Sequence, residues 1–237
     1  MSETVQVETT PLRQLLRGEP VALRPWTDQW EGKRILFCMV AILIGAGLYG
    51  GAMGYWRSPQ QAWFVAVKFP LIILLTTVGN SLLNAMLAPL LGLNLSLRQS
   101  FMAILMSFAI ASAILGSFSP LVAFLVWNAP PMAAGGESVQ QAYFVIQLTH
   151  VAVIAFAGIT ANLRLVRLLR HFSGGAGVAR RVLLAWLAGN LFLGSQLSWI
   201  LRPFIGSPGL PVEFLRPNAL HGNFYETILY SVLQLFK

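Results

Sequence analysis

The stretch Gly45–Gly50 reads GAGLYG, a G-x-G-x-x-G match lying behind the apolar run ILFCMVAILI. In a dinucleotide fold those glycines shape a tight turn after a strand, and an acidic residue about 20 positions on binds the ribose. That acid is absent, because the residue after Glu31 with a carboxylate is Glu137. The apolar run also continues through the glycines, giving 21 uncharged residues from Ile35 to Tyr55. A run of that length crosses a hydrocarbon core of about 30 Å as a helix. At helical spacing the motif becomes three overlapping pairs of small residues, Ala46/Gly50, Gly47/Gly51 and Gly50/Gly54, which let another helix approach closely. Helix packing is therefore expected here, and no nucleotide.

Other residue patterns give little chemistry. Gly79-Asn-Ser81-Leu82 resembles the G-x-S-x turn of intramembrane rhomboid proteases, and His150 is the conceivable partner of Ser81. A dyad needs both groups at one depth. By position in their spans, Ser81 and His150 differ by about 15 Å along the membrane normal at 1.5 Å per residue. HExxH, paired intramembrane carboxylates and clustered metal ligands are all missing, and Cys38 stands alone. No enzyme activity, metal or cofactor is expected. One polar group is of interest: Lys68, Gln147, His150, Gln196 and Ser198 fall in the outer third of their spans and form a candidate polar cluster. Lys68, five residues past Trp63, is expected to snorkel to the interface. Thr76, Asn80 and Asn84 share one helix face, as do Asn190, Gly194 and Ser198, and interhelical hydrogen bonding accounts for both stripes.

The elements that carry these residues are membrane spans. The chain is 56% hydrophobic and 10% charged, with a mean hydropathy of +0.68, whereas a soluble domain has about 25% charged residues. After Ile35–Tyr55, apolar runs follow at about Trp63–Leu90, Phe101–Val126, Tyr143–Leu163 and Val182–Leu201. The net charge of +8 sits between them rather than on a basic surface interleaved with aromatics, so nucleic acid is not an expected partner. Eleven of the Lys and Arg residues lie on the N-terminal arm and the second and fourth loops, against four on the opposite side. The positive-inside rule then places the N-terminus in the cytoplasm and, after five spans, the C-terminus outside.

The expected fold is all-α, a polytopic transmembrane bundle of five spans plus a C-terminal interfacial or re-entrant helix. Residues 1–34 form a basic cytoplasmic arm, 35–201 the five-span domain, and 202–237 an external cap. In the fourth loop Arg164, Arg167 and Arg170 recur at helical spacing, followed by Arg180 and Arg181, and anionic lipid is the expected contact of this collar. Pro203, Pro208, Pro211 and Pro217 exclude a continuous helix beyond span five. Phe224–Phe236 then reads as a helix of 13 residues, too short to span, folded back over the bundle. Glu213, Arg216 and His221 are expected to face the cluster around His150.

GLYGGAMGYWRSPQQAWFVAVKFPLI and LLGLNLSLRQSFMAILMSFAIASAILGSFSPLVAFL, within about residues 47–127, resemble the Yip (Ypt-interacting protein) family in its broad prokaryotic form. The resemblance rests on the glycine-rich end of span one, the short Arg57–Gln60 link, a proline inside span two, and LLG before a basic-polar break. It implies five spans with a cytoplasmic N-terminus. The Asp-Leu-Tyr-Gly-Pro signature of eukaryotic members is absent, so their small-GTPase partnership is not implied, and no functional residue is transferred. Two functions follow as expectations: a non-enzymatic scaffold or accessory subunit packing against lipids, other membrane proteins or its own copies, or a small-solute or lipid transporter using the polar cluster.

Overall fold

The computed structural model of the chain describes residues 11–173, 176–206 and 210–226. Their helices are α1 (Pro11–Arg17), α2 (Pro20–Asp28), α3 (Gly32–Tyr55), α4 (Pro59–Leu90), α5 (Leu97–Asn128), α6 (Glu137–Ser173) and α7 (Ala176–Ile200), with a 3-10 turn at Met132–Ala134. The fold is all-helical, and α3 to α7 are each long and apolar enough to cross a membrane.

Local signals set where these helices start and stop. α4 begins at Pro59 rather than Trp63 because Ser58 Oγ accepts from the Gln61 amide at 3.0 Å, with proline in the first turn. α5 begins at Leu97 because Ser96 and Gln99 form a capping box, the Gln99 amide donating to Ser96 Oγ and the Ser96 amide to Gln99 Oε1. α4 ends in a Schellman motif: Gly92 takes φ +90°, its amide donates to the Pro89 carbonyl, and the Leu93 amide donates to that of Ala88.

α3 sits against both α4 and α5, α5 continues to α6, and α7 closes the bundle against α4 and α6. The glycines of α3 and α5 fix its closest approaches. A Cβ on Gly45 would overlap the Ser112 carbonyl of α5, and one on Gly116 would lie 2.9 Å from Gly45 Cα. On the α4 side, Cβ atoms on Gly50 and Gly54 would come within 2.6 and 2.7 Å of the Val65 and Gln61 carbonyls. Only hydrogen fits in these gaps, so the helix backbones touch.

Within the region read as an arm, α1 and α2 fold back onto the bundle, burying Leu15, Leu23 and Trp26. Their apolar faces need cover, and α5 and α6 provide it. α1, α2 and the 91–96 link define one end of the bundle, the arm end. The tail end carries the 56–58 and 129–136 links and the segment after α7.

Candidate functional site

Three features of the bundle bear on function. The first is a lateral groove of about 1030 Å³ between α3, α4 and α5, opening sideways near the tail end. Its floor is made of small residues, Gly47 and Gly51 on α3 with Ala62 and Ala66 on α4. Thus the glycine motif divides. Gly50 and Gly54, with the fully buried Ala46, pack against the chain's own helices, while Gly47 and Gly51 face the groove. A Cβ on Gly51 would meet nothing closer than Ala66 Cβ at 3.7 Å. The α5 wall contains Pro120, which cannot donate to the Gly116 carbonyl one turn back. Ser119 Oγ donates to that carbonyl instead, at 2.6 Å, and so the wall keeps an apolar face. From Leu43 to Tyr55 the groove follows α3 for about 18 Å at 1.5 Å per residue. Tyr55, Trp63 and Trp127 line its tail end and are 51%, 69% and 80% exposed, the amphipathic side chains suited to a membrane–water boundary.

The second feature is a polar seam between α4 and α7. Asn80 Nδ2 donates to Asn190 Oδ1 at 2.5 Å and to the Trp186 carbonyl at 3.2 Å. Asn84 Nδ2 donates to the Asn80 side-chain oxygen at 2.7 Å, and Thr76 lies opposite Gly194. The two stripes seen in the sequence therefore face one another, and Gly189 leaves room for the Asn80 carboxamide. Ser81 donates to the Thr77 carbonyl one turn back. His150 is elsewhere, sharing a 2.9 Å hydrogen bond with the Tyr49 hydroxyl of α3.

The third feature surrounds Lys68. Its side chain is 0% exposed, so the expected snorkelling to the interface does not occur. The segment after α7 folds over it. Lys68 Nζ donates to the carbonyls of Pro203 at 3.3 Å and Glu213 at 3.5 Å, and the Phe214 and Phe64 ring centroids lie 5.1 and 6.0 Å away. One helical turn pair nearer the tail end, Gln61 Nε2 donates to the Pro203 and Phe204 carbonyls, both at 2.9 Å. Arg57 donates to the Leu210 carbonyl at 3.1 Å. The Pro203, Phe204, Leu210 and Glu213 carbonyls have no backbone partner among the described residues, and α4 and the link before it supply the donors.

The five residues of the predicted polar cluster do not converge. Lys68 belongs to the tail contact, His150 pairs with Tyr49, and Gln147 is exposed. Gln196 and Ser198 are half-buried on α7, with no hydrogen bond to any of the other three among the described residues. Glu213 reaches Lys68 only through its carbonyl, and the His221 carbonyl accepts from Trp199 Nε1 at 3.4 Å. A common depth in the membrane was a poor guide because helices also rotate about their axes, and depth says nothing of facing. Of the predicted helix Phe224–Phe236, only the first turn is described; there the Tyr225 ring stacks on Phe192 of α7 with centroids 5.9 Å apart. Residues 227–237 lie outside the described residues.

At the arm end Arg167, Arg170, Arg180 and Arg181 are exposed. Arg164 differs from them. Its aliphatic stem packs beneath Gly18, whose φ of +63° turns the chain between α1 and α2, and a Cβ there would lie 3.1 Å from Arg164 Cγ. At the tail end Arg202 stacks on Trp199, its guanidinium carbon 3.7 Å from the ring centroid, and Nη1 donates to the Trp199 carbonyl at 2.6 Å. Burial, and then the like charge of Arg216, hold the Arg202 pKa below its ordinary value.

Arg202 gave no signal in the sequence, where it looked like an ordinary loop charge; Arg216, expected with Glu213 and His221 to face the cluster around His150, makes no hydrogen bond to it among the described residues. No family model, curated protein or solved structure matches the chain.

Proposed function

We propose that this protein is a multi-pass subunit of the cell membrane, an inner membrane where there are two, acting as a non-enzymatic scaffold or accessory component. The observation that carries this reading is the lateral groove, whose glycine and alanine floor is open to a neighbour within the bilayer. Small residues permit close van der Waals packing of a helix or a lipid chain where no hydrophobic driving force exists. The exposed arginines of the arm end supply a basic face for anionic headgroups, and the bias of basic residues puts that face in the cytoplasm. The resemblance of residues 47–127 to the Yip family agrees with this reading.

The transporter alternative draws less support, because the three asparagines of the α4–α7 seam, Asn80, Asn84 and Asn190, are bonded to one another. The test is a photoreactive amino acid placed at Ala123 in the groove wall or, as a control, at Leu36, which is exposed on α3 away from the groove. A discrete adduct from position 123, absent from position 36, is the expected result. Identical, diffuse lipid labelling from both would remove the support. Ready modification by water-soluble reagents of cysteines at Asn80, His150 and Asn190 would favour transport instead.

A further inference from the structure

The tail end holds positive charge for which the described residues supply no close counter-charge. Lys68 is wholly buried, yet among the described residues no carboxylate lies within 4 Å of it, nor of Arg202 or Arg216; the ion pairs present are Arg24–Asp28 and Arg34–Glu31 at the arm end. Its two carbonyl partners are chain neighbours of these arginines, Pro203 following Arg202 directly and Glu213 lying three residues before Arg216. The charge of Arg216 acts on both Lys68 and Arg202. Arg202 is already oriented by stacking on Trp199 and by its bond to the Trp199 carbonyl. Arg216 is half-buried and makes no hydrogen bond among the described residues, leaving its planar donor fork unused.

Removing an ammonium ion from water without a counter-charge costs several kcal/mol. Carbonyl dipoles and aromatic faces offset part of that, and an anion nearby would offset more. Guanidinium forks match the two-oxygen edge of a phosphate or carboxylate. We propose that Arg202 and Arg216 bind an oxyanion of the phosphate class at the tail end, with buried Lys68 beneath them adding an attractive field and fixing the segment that presents them. The ligand is either the phosphodiester of an anionic lipid or free phosphate from the aqueous phase. This site is separate from the groove and does not depend on the role given to it.

The test uses the full chain with a fluorophore on a cysteine introduced at Leu220, which is exposed, Cys38 being fully buried and unreactive. Protein in neutral detergent is titrated with inorganic phosphate. Protein in phosphatidylcholine nanodiscs is compared with protein in discs containing increasing phosphatidylglycerol. A saturable signal with phosphate identifies a free anion, and one seen only with phosphatidylglycerol identifies a headgroup; either supports the site. Arg202→Gln with Arg216→Gln is expected to weaken binding at least about tenfold. Arg180→Gln with Arg181→Gln, at the opposite end, is expected to leave the affinity at this label within about twofold. Circular dichroism checks the fold, and Arg216→Gln alone serves if the double variant does not assemble. No saturable signal in either arm, or an affinity unchanged by loss of the arginines, would overturn the proposal.

Discussion

Asn80 of α4 and Asn190 of α7 meet side chain to side chain at 2.5 Å, 110 residues apart in the chain. Asn80 also reaches the Trp186 carbonyl and accepts from Asn84, so one carboxamide ties two turns of α4 to two turns of α7. In an apolar medium such a bond has few competitors, although the unfolded chain in a membrane also finds partners. A double-mutant cycle of Asn80→Leu and Asn190→Leu, read by SDS unfolding in mixed micelles, should give a coupling energy of about 0.6 to 2 kcal/mol. A coupling near zero would mean that the two side chains act independently.

The glycines of α3 should respond differently to substitution. Gly45→Ala forces a methyl group against the Ser112 carbonyl, and the α3 and α5 backbones must separate to admit it. A cost of about 1 to 3 kcal/mol is expected, as for other overpacked interiors. Gly51→Ala adds the same methyl where the nearest atom is 3.7 Å away. Its effect should stay within about 0.5 kcal/mol, and a helix favours alanine over glycine. Equal destabilisation of the two variants in the same micelle assay would contradict the division of this motif between packing and groove.

The spans were legible in the sequence because each is a long apolar run, charged only at Lys68, and the interhelical bonding of the Asn80 and Asn190 stripes was legible because helical spacing puts each on one face, although that they bond to one another was not. The site was less so. Which way Lys68 turns depends on the rotation of α4 and on the return of a proline-rich segment some 140 residues later, neither of which leaves a local pattern. The docking of α1 and α2 was hidden similarly, since Leu15, Leu23 and Trp26 are spaced among charges that read as a solvated arm. Composition identifies the solvent of each element, but it does not show which elements cover one another.

The orientation of the bundle can be measured directly. On the proposed orientation, with the basic arm end in the cytoplasm and five spans, a reporter fused after Lys237 should be active only when it works outside the cytoplasm, and one fused before Met1 only inside. Cytoplasmic activity after Lys237 would reverse the orientation or change the number of crossings.

Lys68 fastens the tail through two carbonyls ten residues apart, so its removal should act on the segment more than on the spans. Lys68→Met keeps the aliphatic bulk against Phe64 and Phe214 but leaves the Pro203 and Glu213 carbonyls without this donor. Gln61 still donates to the Pro203 carbonyl, so it is the Glu213 carbonyl that is orphaned, at a cost of about 1 to 3 kcal/mol. The segment has a cheaper route open to it than tolerating that cost, which is to lift and let water satisfy that carbonyl. Ala219, 3% exposed, lies in the part that would lift. A cysteine at Ala219 should therefore react with a water-soluble maleimide about ten times faster in Lys68→Met than in the parent, a shift of about 1.4 kcal/mol in the opening equilibrium. Gln61→Leu should give a smaller acceleration in the same direction, because Lys68 still holds Pro203. An unchanged labelling rate in Lys68→Met would show that the aromatic contacts of Phe214 and the Arg57–Leu210 bond hold the segment without the ammonium.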